Sequence, residues 1–326
     1  MTLESEINSN SKTNWRLVVD NHVIPALYWF EEQGITPTLR TLFYRLVSLE
    51  VTPNTKNSYK RLSKVLVKER KEGNIEWDAL ADQGRLVLCN FEDTYESPED
   101  YIKRGITHIK NAESQYKVPR WYGQKHYVEV WIEKEALADT FESFLEGRDI
   151  RIVVNKGYAG WTFLNENANR LFEVQLTQGD KQIHVLYFGD LDPSGEDMDR
   201  HLVEALSYFE LYSYTVDFER VAVTQDQIDE YGLPPTPEDS ETLDKLDKES
   251  RKDGFIDKHG ELIAVELDAL LAIVPDEFKK LVQESVDQYF DEDTYQREKK
   301  RFPPQKIRRL VHQKVRFLAD AKEGSL

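Results

Sequence analysis

Two aspartates separated by one residue, Asp190 and Asp192, follow an apolar run in IHVLYFGDLDPSGEDM, residues 183–198. Carboxylates this close repel each other unless a cation sits between them, and hard oxygen donors in a loop suit Mg2+ better than Zn2+. A third carboxylate, Glu133, ends a second apolar run, HYVEVWI at 126–132. Three carboxylates gathered on one edge make a site for one or two Mg2+ ions, which can stabilise the attacking and leaving oxygens of phosphoryl transfer. The plainer alternatives are that the aspartates decorate a turn and that Glu133 caps the helix it precedes.

The elements that must position these groups follow from hydrophobic periodicity. Residues 183–188 have the length and apolar character of a central strand in a parallel sheet covered on both faces. Pro193 and Gly195 fix the turn after it, and 194–199 is suited to start a helix. Further strands are expected at 126–132, 150–155 and 216–223, alternating with helices to residue 145, over 163–176 and over 196–209. That alternation implies an α/β fold with a parallel sheet, whose strand ends of one type share an edge; residues 57 positions apart, Glu133 and Asp190, can meet there. Helices are expected around 266–271, 275–290 and 306–319, the last preceded by a basic run at 297–309. Residues 234–261 hold few apolar side chains and read as a long exposed insertion.

Upstream, residues 15–32 carry apolar side chains at helical spacing, with an expected kink at Pro25. Thr36 and Pro37 read as cap and first residue of a second helix over 37–49, in which Arg40 and Tyr44, four apart, share a face. A third helix is expected over 56–71, with seven basic residues against Glu69 alone. Three short helices, the last basic, then a strand-like stretch at 85–91, predict a winged helix-turn-helix. A helical subdomain with a solvated basic face is the alternative.

The net charge of −17, taken at face value, argues against a nucleic-acid partner, because Lys and Arg dominate phosphate binding. The distribution qualifies this: residues 1–120 hold 17 basic and 17 acidic side chains, whereas 217–293 hold 8 and 23. Cys89 is the only cysteine, so an intramolecular disulfide or a cysteine-built metal centre is excluded and a reducing cytoplasm is expected. No apolar run approaches the ~20 residues needed to cross a bilayer, and the N-terminus lacks the basic and apolar regions of a secretion signal.

Several segments together resemble one family. WIEKEAL at 131–137 looks like the Glu-Lys-Glu-Ala strand end of the A subunit of type IIB DNA topoisomerases (topoisomerase VI) and the related meiotic double-strand-break proteins. NKGY at 155–158 is similar to their Lys-Gly-Tyr-Pro turn, and GDLDPSG to their Gly-Asp-x-Asp-Pro-x-Gly. Arg40-Thr-Leu-Phe-Tyr44 matches the Arg-Asp-x-Tyr-Tyr helix that carries their catalytic tyrosine, and FERVAVTQDQIDEYGLP at 218–234 is a fifth, weaker match. Thr41 stands where the family usually has Asp, Phe43 replaces the first Tyr, and Ala159 replaces Pro.

The resemblance implies a winged-helix tyrosine domain at 1–120 and a Toprim metal-binding domain at 121–326 with helices at its C-terminus. It implies a homodimer that cleaves double-stranded DNA with Mg2+ as cofactor, the tyrosine of one subunit meeting the metal site of the other. Tyr44 is then the nucleophile, Arg40 stabilises charge on the phosphate, and Glu133, Asp190 and Asp192 hold metal. Lys60, Arg61, Lys64, Lys68 and Lys156 contact the DNA backbone. No Gly-x-x-x-x-Gly-Lys-Ser/Thr signature is present, so any ATP-driven strand passage needs a separate ATPase subunit. The expected setting is cytoplasmic and nucleoid-associated. Two other readings are a hydrolytic Toprim nuclease of a plasmid or phage defence system, and a non-catalytic winged-helix DNA-binding protein.

Overall fold

Four runs rich in β-branched and aromatic residues form strands, and the helices between them return the chain so that every strand points the same way. The computed structural model describes residues 15–81, 97–155, 159–179, 181–209, 216–236 and 252–323. Its strands are β1 (His126–Ile132), β2 (Arg151–Val154), β3 (Gln182–Phe188) and β4 (Val216–Ala222), in the all-parallel order β2-β1-β3-β4. Leu186 of β3 sits between Val130 and Glu219 of its neighbours. The expected strands are therefore present, within a residue or two at their ends.

Helices before the sheet are α1 (Trp15–Val18), α2 (Ile24–Glu32), α3 (Leu39–Ser48), α4 (Lys56–Lys71) and α5 (Pro98–Gln115). Between strands lie α6 (Ala138–Phe144), α7 (Trp161–Gln178) and α8 (Pro193–Phe209). After β4 follow α9 (Gln225–Tyr231), α10 (Lys252–His259), α11 (Leu267–Ile273), α12 (Pro275–Asp287), α13 (Glu292–Arg301) and α14 (Pro304–Glu323). Among the described residues, no helix is long and apolar enough to cross a membrane.

Alternation along the strands gives the sheet two apolar faces. Trp131, Ile183, Val185 and Tyr187 pack with Leu164 and Leu171 of α7 and Leu202 and Leu206 of α8. Phe188 faces the other way, its ring 5.0 Å from Phe141 of α6 and 6.3 Å from Phe278 of α12. One carboxyl is buried inside β1. Glu129 is fully buried, and its oxygens accept from the Tyr127 hydroxyl at 2.7 Å, the Trp131 indole at 3.1 Å and the Arg170 guanidinium, as a buried polar group requires.

The chain forms two compact units. One comprises Met1–Gly84 with His126–Tyr289, and the other Arg85–Lys125 with Phe290–Leu326. The divisions fall at 84/85, 125/126 and 289/290, so that α1–α4 group with the sheet. In the smaller unit α5 packs against α14, and Gln124 exchanges two hydrogen bonds with the backbone of Asp291, at 2.8 and 2.9 Å.

Several local expectations change. The kink at Pro25 appears as a π turn over Val19–Val23, where the Ile24 N–H donates to the Val19 carbonyl, just before the residue that lacks a donor. Helix α3 is capped by Thr38, not Thr36: Ala81 N–H donates to the Pro37 carbonyl at 3.0 Å, holding this stretch extended until Thr38 turns it. The segment 234–261 is not wholly exposed, since Thr236 and Phe255 are buried and 252–259 is helical. The strand expected at 85–91 and most of that insertion, 237–251, lie outside the described residues.

Candidate functional site

Reading the strand order as a path, the chain steps from β1 outward to β2, returns past β1 to β3, and steps outward again to β4. The direction reverses between β1 and β3, and the crevice at the carboxyl ends of such a pair is where open α/β sheets hold ligands. Glu133 follows β1 and Asp190 follows β3. The Glu133 N–H extends the pairing to the Phe188 carbonyl at 3.0 Å, and Glu133 Oε2 accepts from the Asp190 N–H at 2.9 Å.

Two glycines make this approach possible. A Cβ on Gly189 would stand 2.8 Å from Glu133 Oε2, and one on Gly195 would stand 2.3 Å from the Asp190 carbonyl. Asp192 turns back onto the first turn of α8, where its Oδ1 accepts from the Gly195 N–H at 2.7 Å. The turn itself is fixed by Arg220 of β4, whose guanidinium donates to the carbonyls of Gly189 and Asp190 at 3.1 Å each and of Val223 at 3.2 Å, while Asp199 holds its other edge at 3.0 Å.

A second acidic pair, unforeseen from the sequence, completes the crevice. Leu191 and Val265 exchange two backbone hydrogen bonds at 2.9 Å. This antiparallel bridge brings Glu266 and Asp268, at the start of α11, beside the aspartate loop, and the Leu267 N–H donates to Asp190 Oδ1 at 2.8 Å. Lys134 Nζ lies 3.0 Å from Asp190 Oδ2, 3.0 Å from Glu266 Oε2 and 2.9 Å from Asp268 Oδ2. The other Glu266 oxygen pairs with Arg40 at 3.2 Å. Asp268 Oδ1 accepts from the hydroxyls of Thr38 and Thr41, each at 3.0 Å.

Helix α3 thus reaches the carboxylates of its own chain. Arg40 sits with its guanidinium 4.7 Å from the Tyr59 ring, and both line a cavity of about 540 Å3 with Lys134, Asp190, Asp192 and Glu266. Tyr44 lies one turn further along, fully buried, with Thr236 beside its hydroxyl and the charges of Arg40, Glu266 and Lys134 near it. Burial above all, with the Glu266 charge adding, drives its pKa far above the ordinary tyrosine value. Lys60, Arg61, Lys64 and Lys68 are exposed on α4; Lys156 lies outside the described residues.

The electrostatics are those of crowded carboxylates. Burial, then the Asp190 charge, raises Glu133 to about 8. Asp190 and Glu266 are also raised, each chiefly by burial against the opposing pull of Lys134. Asp268 is lowered, because the attraction of Lys134 and the two threonine hydroxyls outweighs its burial. Carboxylate oxygens are the right donors for a hard divalent cation. Among the described residues, however, no three ligating side chains converge on one point, because the oxygens of Asp190 and Asp192 are turned to Lys134 and to backbone N–H groups.

Glu266 and Asp268 escape sequence reading because VELDALLAI, residues 265–273, has the look of a capped apolar helix, which it also is. The signal present was a second acid-x-acid pair. No protein family, curated protein or solved structure matches this chain.

Proposed function

We propose that this chain is a Mg2+-dependent DNA-cleaving transesterase similar to a topoisomerase VI A subunit, with a winged-helix part around α2–α4 and a Toprim-like sheet, acting as a homodimer on double-stranded DNA. The observation that carries the reading is the meeting, at the switch point of a parallel sheet, of Glu133 and Asp190 with a helix bearing Arg40 and Tyr44. In the reaction the Tyr44 oxygen attacks a DNA phosphorus and the P–O3′ bond breaks. The 5′ phosphate stays on the tyrosine as an ester, and the tyrosine proton leaves to solvent or to the departing 3′ oxygen. Arg40 stabilises the charge that builds on the non-bridging oxygens. Glu133, Asp190 and Asp192 would be the residues to hold a divalent cation, which would supply Lewis-acid stabilisation of charge on oxygen. Lys60, Arg61, Lys64 and Lys68 hold the DNA backbone. Strand passage, if the protein performs it, requires a separate ATPase subunit. The test is whether detergent-quenched reactions hold Tyr44 covalently on a DNA 5′ phosphate.

The burial of Tyr44 favours a second reading. In it the carboxylates serve a hydrolytic nuclease, water is the nucleophile, products carry free 5′ phosphates and the Tyr44→Phe variant cleaves normally.

A further inference from the structure

Charge is divided unevenly between the two compact units. The smaller, Arg85–Lys125 with Phe290–Leu326, holds 17 basic and 12 acidic side chains, whereas the larger holds 26 and 48. A cationic module on an otherwise acidic chain is the footprint of a polyanion partner, because a ligand meets the local field and not the net charge. The excess is concentrated in the run 297–309, where seven residues are basic and Glu298 alone is acidic. The lysines and arginine of α4 lie in the other unit.

The fold turns this run outward. Glu298 is turned in beside Gly123 and is 18 % exposed, whereas Arg301, 3.6 Å from it, is 67 % exposed. Phe302, Pro303 and Pro304 make a stiff corner between α13 and α14, since each proline fixes φ and donates no N–H. At that corner Arg301 and Lys306 reach one ring, 5.1 and 5.4 Å from the centroid of Phe302, which Tyr122 holds edge-on at 5.8 Å. Two cations gathered on one ring repel each other, and an anionic oxygen beside both offsets that cost. Helix α14 packs on α5, with Ile307 and Val311 half-buried and Arg308, Arg309 and His312 exposed. The exposed cations are thus spread over two helices on either side of a fixed corner, as a chain of spaced phosphates requires. A lipid surface would instead need the apolar side of α14 free.

We propose that the α13–α14 corner of the smaller unit is a nucleic-acid backbone site, in which Lys300, Arg301, Lys306, Arg308 and Arg309 contact phosphates without regard to sequence. The site goes beyond the cleavage reading, because it needs neither Tyr44 nor a bound cation, and it adds to the contacts of α4.

Fluorescence anisotropy of the full-length protein on a labelled DNA duplex, repeated over a range of salt concentrations, tests this. The variant carrying Lys300→Gln, Lys306→Gln, Arg308→Gln and Arg309→Gln removes four exposed charges. It is expected to bind roughly tenfold or more weakly at low salt and to lower the slope of log K against log salt by about 3–4. Arg308→Lys with Arg309→Lys keeps the charge and is expected to keep the slope. Thermal melts by circular dichroism verify that each variant folds. Native affinity and slope in the four-Gln variant, with both lost when Lys60, Arg61, Lys64 and Lys68 are changed to Gln, overturns the proposal and leaves the DNA reading standing. Absence of duplex binding by the native protein overturns both. Binding to phosphatidylserine vesicles that the same four changes abolish and the duplex does not displace overturns the nucleic-acid assignment in favour of a lipid surface.

Discussion

Thr41 and Asp268 are 227 positions apart in the chain and 3.0 Å apart in space, hydroxyl to carboxylate. The helix that carries Tyr44 thus meets an acidic group supplied by a distant element, the start of α11. Because Asp268 is almost completely buried, each hydroxyl that solvates it counts.

Thr41→Val removes one donor from a buried charged acceptor and is expected to cost ~1.5–3 kcal/mol, the range for hydrogen bonds to ionised groups. Thr41→Ser should recover most of that. Urea denaturation midpoints at constant m-value measure both.

Gly195→Ala places a methyl 2.3 Å from the Asp190 carbonyl, so the loop must move. A destabilisation of about 1–3 kcal/mol is expected, together with weaker Mg2+ binding by calorimetry. Gly105→Ala, inside α5 with open space around it, serves as the control and should stabilise by ~0.5–1 kcal/mol.

Arg220→Met leaves Asp199 without its ionic partner and the Asp190 carbonyl without its side-chain donor, while the Gly189 carbonyl keeps the Val223 N–H. The expected loss is ~3 kcal/mol, typical of breaking a buried pair. Arg220→Lys keeps the charge but not the planar fork, so it should recover only part of the stability in the same denaturation assay.

The raised pKa of Glu133 sets a pH dependence for the metal-free protein. The unfolded chain ionises this group near 4.5, whereas the folded chain keeps its proton until about 8. The unfolded state then binds fewer protons in that window, so stability falls as pH rises through it. Asp190 and Glu266 act in the same direction and Asp268 in the opposite one. Melting temperatures in chelator should decline between 4.5 and about 8, and Glu133→Gln should flatten the decline.

The sheet and its carboxylate edge were legible in the sequence for a physical reason. Strands buried on both faces are nearly continuous apolar runs, and a parallel sheet puts Glu133 and Asp190 on one edge whatever the details of packing. What was not legible depends on contacts distant in sequence. The Thr38 cap follows from a bridge to Ala81, the roles of Glu266 and Asp268 from the bridge between Leu191 and Val265, and that of Arg220 from three carbonyls it reaches across the β3–α8 turn. Periodicity registers none of these. The expectation that Arg40 and Tyr44 stand in a domain apart from the carboxylates also had no way to register the ion pair between Arg40 and Glu266.

The most direct measurement is incubation with supercoiled DNA and Mg2+, a detergent quench, and mapping of any protein left on DNA ends. The account predicts protein linked through Tyr44 to 5′ phosphates, abolished in Tyr44→Phe and in Asp190→Ala. Cleavage by Tyr44→Phe that leaves free 5′ phosphates would contradict it.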